Sequence, residues 1–436
     1  MTLDVAVTTD QIRAIHRQVG DLLHTHRQQR ARAGEPALSQ ADEQQYAHTL
    51  IATVLREQAA DQVGRGLTPL DPDVEAEIAE AVHARMFGAG RLQWLLNDQT
   101  IENIDINGCD EVWVTRADSP HQERVASVAS TDEELIELVQ TLAAATGLNA
   151  RPFDTANPEL DLKLHDGSRL SAVMGVTTRP SVSIRRHRYT KVTLGDLIGK
   201  GTLTPENAAF LSAIIASRAN VMIAGATAAG KTTLLRAMAG EIPSTERVIT
   251  IENSLELALR DDDRHPNCVE LEVRLPNSEG VGAIGMSRLV RRTLRQNPDR
   301  VIVGEVLGDE VIDMLNAMSQ GNDGSISTIH ARSARGVFDR IATYAIMASE
   351  RLPHEATYQL IAGGLDYVVY IARDPHTGHR YLDSILEVNG FDGTVLSSMI
   401  FESRNKQSAT WTGVVPGRLE ALTAAGWTPP VSRWDS

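Results

Sequence analysis

The stretch that decides the fold runs from Val221 to Thr233 and reads VMIAGATAAGKTT. Its first four residues are apolar and suit a short buried strand. The letters GATAAGKT match the spacing Gly-x4-Gly-Lys-Ser/Thr, and the helical run LLRAMAG follows them. A strand, a loop bounded by glycines and a helix, in this order, predict a P-loop, which wraps the phosphate groups of a nucleotide.

Each residue type in this loop has a reason in phosphate chemistry. Gly225 and Gly230 let backbone N–H groups turn inward around phosphate oxygens. The helix that begins near Lys231 points its positive end at the anion. Lys231 is expected to reach the β- and γ-phosphates, and the Thr232 hydroxyl is expected to bind Mg²⁺. The sequence therefore predicts ATP and Mg²⁺ as ligands. The expected nucleotide-binding residues of the loop are Gly225, Ala226, Thr227, Ala228, Ala229, Gly230, Lys231, Thr232 and Thr233.

Two further strand-like runs each end in an acid. VIVGE ends at Glu305, and the carboxyl end of a parallel strand is where ligands of such sheets bind. We expect Glu305 to hold the Mg²⁺ shell together with Thr232. VITIE ends at Glu252, which is the preferred residue for orienting the attacking water. Glu256 is the alternative for that role, and its competing interpretation is a solvated residue in the first turn of a helix.

A histidine closes a fourth strand-like run, Ser325 to His330, which follows the glycine-rich GNDGS. A lone histidine is more often a surface residue or a satisfied core residue. In the company of a P-loop, His330 is expected to contact the γ-phosphate. The predicted catalytic set is therefore Glu252, Glu305, Lys231, His330 and Glu256.

The bulk composition limits the remaining possibilities. The chain has 436 residues, of which 42% are hydrophobic and 23% charged, as in soluble proteins of two or three domains. The net charge of −15 argues against a protein that coats nucleic acid. No run of about 20 apolar residues occurs, so direct membrane insertion is not expected.

Short apolar runs alternate with helical patterns after Asn220, and this alternation predicts a parallel α/β sheet. A helix is expected to begin at Thr204, the N-cap, with Pro205 in its first turn. The predicted division of the chain is a helical extension at 1–88, a small α/β domain at 89–188, a linker at 189–203, the P-loop domain at 204–405 and an appendage at 406–436.

Four segments in this order resemble the ATPases of type II and type IV secretion and of type IV pili. They are GATAAGKTT, RVITIENSLEL, LRQNPDRVIVGEV and GNDGSISTIHARS. The N-terminal runs FGAGRLQWLLNDQTIENIDINGCDEVWV and LDLKLHDGSRLSAV are similar to the tight-adherence branch of this superfamily. The resemblance covers about residues 74–402.

The resemblance implies a RecA-like ATPase domain with a mobile N-terminal α/β domain, assembled as a homo-hexamer. It implies that two N-terminal arginines, Arg169 and Arg185, reach the phosphates of ATP, for which a guanidinium is suited by its planar fork. It also implies platform proteins of the inner membrane as partners, and a peripheral position at the cytoplasmic face of that membrane.

The chain departs from the usual pattern of this superfamily at three places. Ala228-Ala229 stand where Gly-Ser is usual, Asn253 follows Glu252 in place of aspartate, and Leu307 stands where an arginine is common.

Two other function classes compete with a secretion or pilus motor. One is a RecA-like nucleic-acid translocase, which stimulation of hydrolysis by DNA would favour. The other is an assembly protein that binds ATP and barely hydrolyses it.

Overall fold

The computed structural model describes residues 5–33, 38, 40–87, 92–116, 119, 121–145, 152–164, 166–186, 191–274, 276, 281–319, 321 and 323–430. The chain divides into two compact units, Met1–Arg188 and Tyr189–Ser436. The predicted domain boundaries at 88/89 and 188/189, and the end of the predicted appendage, lie outside the described residues.

Unit 1 begins with three helices, α1 (Val5–Arg32), α2 (Gln40–Gly64) and α3 (Pro72–Phe87). They pack on one another around a small aliphatic core. Its buried side chains include those of Ile15, Val19, Ile51, Val54, Ile78 and Val82. The sequence runs that predicted helices in this extension therefore do form helices.

The rest of unit 1 is a six-stranded antiparallel sheet with two helices. Its elements are α4 (Gln93–Asn97), β1 (Ile101–Asn107), β2 (Val112–Arg116), β3 (Gln122–Val125), α5 (Asp132–Ala145), β4 (Glu159–Lys163), β5 (Arg169–Val173) and β6 (Ser181–Arg185). The strand order is β3-β2-β1-β6-β5-β4. One face buries a row that includes Ile104, Leu170 and Ile184, and the opposite face is polar, as period-two alternation requires.

Unit 2 is built on a nine-stranded sheet. Its elements are α6 (Leu194–Gly199), α7 (Pro205–Ala216), β7 (Val221–Gly225), α8 (Lys231–Ala239), β8 (Val248–Glu252), a 3₁₀ turn (Leu259–Asp261), β9 (Cys268–Glu272), α9 (Met286–Thr293), β10 (Arg300–Val306), α10 (Glu310–Ser319), β11 (Ile326–His330), α11 (Gly336–Met347), α12 (His354–Gly364), β12 (Tyr367–Arg373), β13 (Arg380–Phe391), β14 (Val395–Glu402), β15 (Thr410–Trp411) and α13 (Leu419–Ala424).

The strand order in unit 2 is β15-β14-β13-β12-β7-β11-β10-β8-β9. The strands from β12 through β9 run parallel, and β13, β14 and β15 extend the sheet with antiparallel pairs. The central strands β7 and β8 are buried at every position. Two separate apolar cores cover the two faces of the sheet, which explains why these strands are continuous apolar runs.

Local signals fix where several elements begin. Thr204 caps α7 as predicted: its side chain accepts from the N–H of Asn207, whose side chain accepts in turn from the N–H of Thr204. Within the predicted linker, Thr193 caps α6 in the same way, and α6 packs in unit 2. Within the predicted appendage, Leu422 and Trp427 join the core of unit 2.

None of the helices in the described part of the chain is long and apolar enough to cross a membrane.

A buried ion pair ties the start of β10 to the segment before β8. Arg300, with no exposed surface, donates from Nε and Nη2 to Glu246 at 2.7 and 3.1 Å and from Nη1 to the carbonyl of Ile215. Glu246 also accepts from the half-exposed Arg218 at 3.0 Å. Removing the carboxylate leaves the Arg300 charge buried without its counter-ion.

We predict that Glu246→Ala lowers the free energy of unfolding by about 3 kcal/mol, because breaking a buried pair strands one charge. Arg218→Ala, which removes the more exposed partner, is expected to cost less. Urea denaturation of both variants measures the difference. An equal loss in the two variants would contradict this account of the ion pair.

Candidate active site

Four adjacent strands carry the predicted catalytic segments to one edge of the sheet. The strands β7, β11, β10 and β8 are parallel neighbours in this order, so their carboxyl ends lie at the same edge. They end at or near Gly225, His330, Glu305 and Glu252. His330 lies directly opposite Gly225 in the register of β11 and β7. Segments more than 100 residues apart in sequence are thereby neighbours in space.

The loop after β7 is held by close backbone contacts that only glycine allows. A Cβ on Gly225 would lie 2.5 Å from the carbonyl oxygen of Ile371 on β12. Gly230 adopts φ +102° immediately before α8. Both glycines of the P-loop pattern are therefore required by the geometry of the loop. Lys231 and Thr232 follow in the first turn of α8, the positive end of that helix.

Lys231, Glu305 and His330 form one contact group. Nζ of Lys231 lies 3.8 Å from Oε1 of Glu305 and 3.3 Å from both ring nitrogens of His330. Nε2 of His330 lies 2.8 Å from the same Glu305 oxygen. Burial and the Lys231 charge lower the pKa of His330, with Glu305 opposing them. A neutral imidazole that accepts from Lys231 and donates to Glu305 satisfies these contacts.

Glu252 is the most deeply buried of the three predicted catalytic acids. Its Oε2 accepts from the backbone N–H groups of Glu256 and Leu257 at 2.8 and 2.9 Å. Its Oε1 is buried and has no hydrogen-bond partner among the described residues. Burial raises the pKa of Glu252 to about 7, against the two backbone N–H donors, which lower it. A carboxylate with this pKa can exchange a proton near neutral pH.

Glu256 lies in a loop after β8 rather than in a helix, and it is half-buried. Its backbone N–H, not its side chain, makes the contact with Glu252. The structure therefore gives these two acids different surroundings, with Glu252 buried at the strand end and Glu256 supporting it through the main chain.

Two residues outside the sequence-based set complete the surroundings of Glu252. A Cβ on Gly304 would lie 2.8 Å from Cγ of Glu252, so the glycine makes room for the acid. Arg236 of α8 is buried and donates from Nε to the carbonyl of Leu257 at 3.0 Å. Burial lowers the pKa of Arg236, and the charge of Glu252 opposes that shift. In the sequence, the signal for it was a charged residue within the apolar run from Leu234 to Ala239.

Arg169 and Arg185 lie in unit 1, on neighbouring strands. They are paired directly across β5 and β6, and Lys163 on β4 pairs with Arg169 in the same row. The two arginines thus form a cationic row on the polar face of the unit 1 sheet.

The residues present fit ATP and Mg²⁺. The loop has the two glycines that a phosphate cradle needs, and an orphaned carboxylate oxygen, Oε1 of Glu252, lies at the end of β8 on the same edge of the sheet. The described residues contain no group of three or more His, Cys, Asp or Glu that could hold a metal ion. Mg²⁺ in nucleotide sites is usually bound by one or two side chains together with phosphate oxygens, so Thr232 and Glu305 would hold it alongside the nucleotide.

Comparison with known proteins identifies the family of this chain. The family described as "Type II/IV secretion system protein" matches residues 88–387, which include the P-loop and the ends of β8, β10 and β11. The chain belongs to this family, and it is an ATPase of the family. The match supports the superfamily resemblance seen in the sequence but does not distinguish the tight-adherence branch.

Individual relatives extend the comparison beyond the family match. A protein of Mycobacterium tuberculosis named for conjugal transfer is 33% identical over 342 residues, covering 76% of this chain and 93% of that protein. VirB11 of the Brucella suis type IV secretion system is 29% identical over 335 residues, covering 70% and 90%. The structure of the Legionella pneumophila ATPase DotB covers 71% of this chain and 81% of its own, with 19% identity and a TM-score of 0.51. The last similarity bears on the fold alone.

The raised pKa of Glu252 predicts a pH-dependent cost to stability. The unfolded chain releases this proton above about pH 4.5, whereas the folded chain keeps it until about pH 7. The stability that the protonated form provides is therefore present below pH 4.5 and is lost as the pH rises through 7.

We predict that the free energy of unfolding of Glu252→Gln, which cannot ionise at this position, rises relative to that of the parent by roughly 3 kcal/mol as the pH goes from 5 to 8. Urea denaturation at both pH values measures this gain. Glu256→Gln makes the same charge change at a less buried position and serves as the control. If the two variants show the same pH dependence, burial is not what sets the pKa of Glu252.

Proposed function

We propose that this ATPase hydrolyses ATP at the ends of β7, β8, β10 and β11, and that it works as a hexameric motor for pilus assembly or protein secretion. The observation that carries the proposal is the contact group of Lys231, Glu305 and His330 at the mouth of the P-loop, with Glu252 buried on the next strand. Four separate segments supply one site, which a chance match to the loop pattern alone would not produce.

Each residue has a role that its surroundings support. Bound Mg²⁺ would neutralise charge on the β- and γ-phosphates. Lys231 would bind those phosphates, and Thr232 and Glu305 would hold the metal. Glu252, with a pKa near neutrality and an unpartnered oxygen, orients the attacking water and takes its proton.

His330 has a different role in the proposal, because it is in contact with both Lys231 and Glu305. His330 connects the γ-phosphate position to β11, which pairs directly with the P-loop strand β7. Loss of the γ-phosphate would then change the contact between His330 and Glu305. Glu256 stays the alternative to Glu252 for positioning water.

The cationic row of unit 1 supports the proposed assembly. Arg169 and Arg185 are paired side by side, and neighbouring guanidinium groups suit the oxygens of a phosphate chain. We propose that they bind the phosphate chain of ATP in a six-membered ring. The ring would act on platform proteins of the inner membrane, with the chain held peripherally at the cytoplasmic face, and a tight-adherence pilus is the proposed machine.

A RecA-like nucleic-acid translocase is the competing function. The net charge of −15 and the family to which the chain belongs both support the secretion motor instead. An assembly protein that barely hydrolyses ATP would need neither a buried acid of raised pKa nor the neighbouring contact group.

We predict that Lys231→Ala abolishes ATP binding and hydrolysis, because this lysine is proposed to bind the phosphates and contacts Glu305 and His330 rather than the apolar core.

Glu252→Gln is expected to keep ATP binding and to lower kcat at least a hundredfold, since an amide cannot take a proton. Steady-state hydrolysis and equilibrium binding of a fluorescent ATP analogue measure the two effects. Near-normal turnover by Lys231→Ala, or greater damage from Glu256→Gln than from Glu252→Gln, would sink these assignments.

We predict that the chain forms six-membered rings with nucleotide at micromolar concentration, and that Arg169→Ala with Arg185→Ala lowers kcat about a hundredfold. Lys163→Ala, in the same row of the sheet, is the matched control and should leave turnover near the parent value. Mass photometry and steady-state assays test both parts. Monomers alone in the presence of nucleotide, or equal losses in the control, would count against the proposal.

A further inference from the structure

The P-loop of this chain contains one residue in a backbone conformation that its side chain disfavours. Ala228 adopts φ +60°, in the left-handed region. A residue with a Cβ pays about 1–2 kcal/mol to stay there, whereas glycine pays almost nothing. Gly225 and Gly230 bound the loop, but position 228 has no glycine. A contact from outside the loop can offset this cost.

Arg380, the first residue of β13, makes that contact. Its Nε donates to the carbonyl oxygen of Ala228 at 3.1 Å. Its Cδ lies 3.3 Å from the position that a Cβ on Gly230 would occupy, so the arginine stem crosses the loop directly over this glycine. The same glycine is thus needed both for the turn into α8 and for the approach of Arg380.

The strand pair that carries Arg380 is anchored to the loop at a second point. Ile371 on β12 places its carbonyl oxygen against Gly225 and its side chain against Gly230. β12 is the parallel neighbour of β7, and β13 pairs with β12 in a register that sets Arg380 opposite Arg373. Arg380 therefore projects from a rigid part of the sheet rather than from a free loop.

We propose that Arg380 is a positioning residue for the P-loop. It fixes the peptide that follows Ala228 and so offsets the cost of an alanine in the left-handed conformation. The inference rests on the proposed binding of ATP at this loop. It assigns to Arg380 an effect on nucleotide affinity, exerted through the main chain of the loop and without contact to the nucleotide.

The test is a double-mutant cycle in the full-length chain with Arg380→Ala and Ala228→Gly. Arg380→Ala is expected to raise the KM and the Kd for ATP about tenfold, the size of one hydrogen bond from a charged donor, with kcat changed much less. In the Ala228→Gly background the same arginine substitution is expected to cost less than about threefold, because glycine adopts this conformation without help. Arg380→Lys, which can still donate to the carbonyl, should recover part of the affinity.

Arg373→Ala is the matched control, because this arginine sits opposite Arg380 and donates within its own hairpin, to the carbonyl of Gly378. It should leave the KM at the parent value. An Arg380→Ala penalty that is the same with alanine or glycine at 228 would overturn the proposal and indicate a direct contact with the nucleotide, and no penalty at all would overturn it as well. Lys231→Ala in the same assay keeps the two proposals apart. Retained ATP binding in that variant would refute the proposed site, whereas lost binding there together with an unchanged KM in Arg380→Ala would refute only the role of Arg380.

Discussion

The parallel register of β7, β11, β10 and β8 is the constraint on which the rest of the site depends. Each strand contributes one chemical group at its carboxyl end, and the register of β11 on β7 sets His330 opposite Gly225. A slip of one residue in any strand would turn its terminal side chain to the other face of the sheet. The two apolar cores that cover the sheet fix the register, so packing far from the edge determines the geometry of the site.

Glu252 shows what this arrangement costs. Its strand is buried at every position, and its carboxylate is left with one oxygen without a partner among the described residues. An acid in such a place lowers stability at neutral pH, yet it acquires a pKa near 7 that an exposed acid would not have. Gly304 and Arg236 make this burial possible, the first by leaving space and the second by placing a charge nearby. Stability is given up at the position where proton transfer is proposed.

The sequence predicted the parts of the structure that depend on local pattern. The P-loop spacing, the N-cap at Thr204 and the alternation of apolar runs with helices all appear in the structure as expected. The strand β3 and the antiparallel extension β13 to β15 were not predicted, because a strand depends on packing against its neighbours more than on its own pattern. Arg236 and Arg380 were missed because their contacts are with residues distant in sequence, and for Gly304 the sequence indicated close packing but not that Glu252 is the residue packed against it. For the same reason the sequence could propose a role for Arg169 and Arg185 only through resemblance, whereas their cross-strand pairing required coordinates.

The central claim is that the four strand ends form one ATP-hydrolysing site in a secretion motor. The most direct measurement is steady-state ATP hydrolysis by the purified full-length chain, with Mg²⁺, with Mg²⁺ removed by chelation, and with added single- or double-stranded DNA. The account predicts turnover that requires Mg²⁺ and does not change with DNA. Turnover that persists without Mg²⁺, or that rises only when DNA is present, would contradict it.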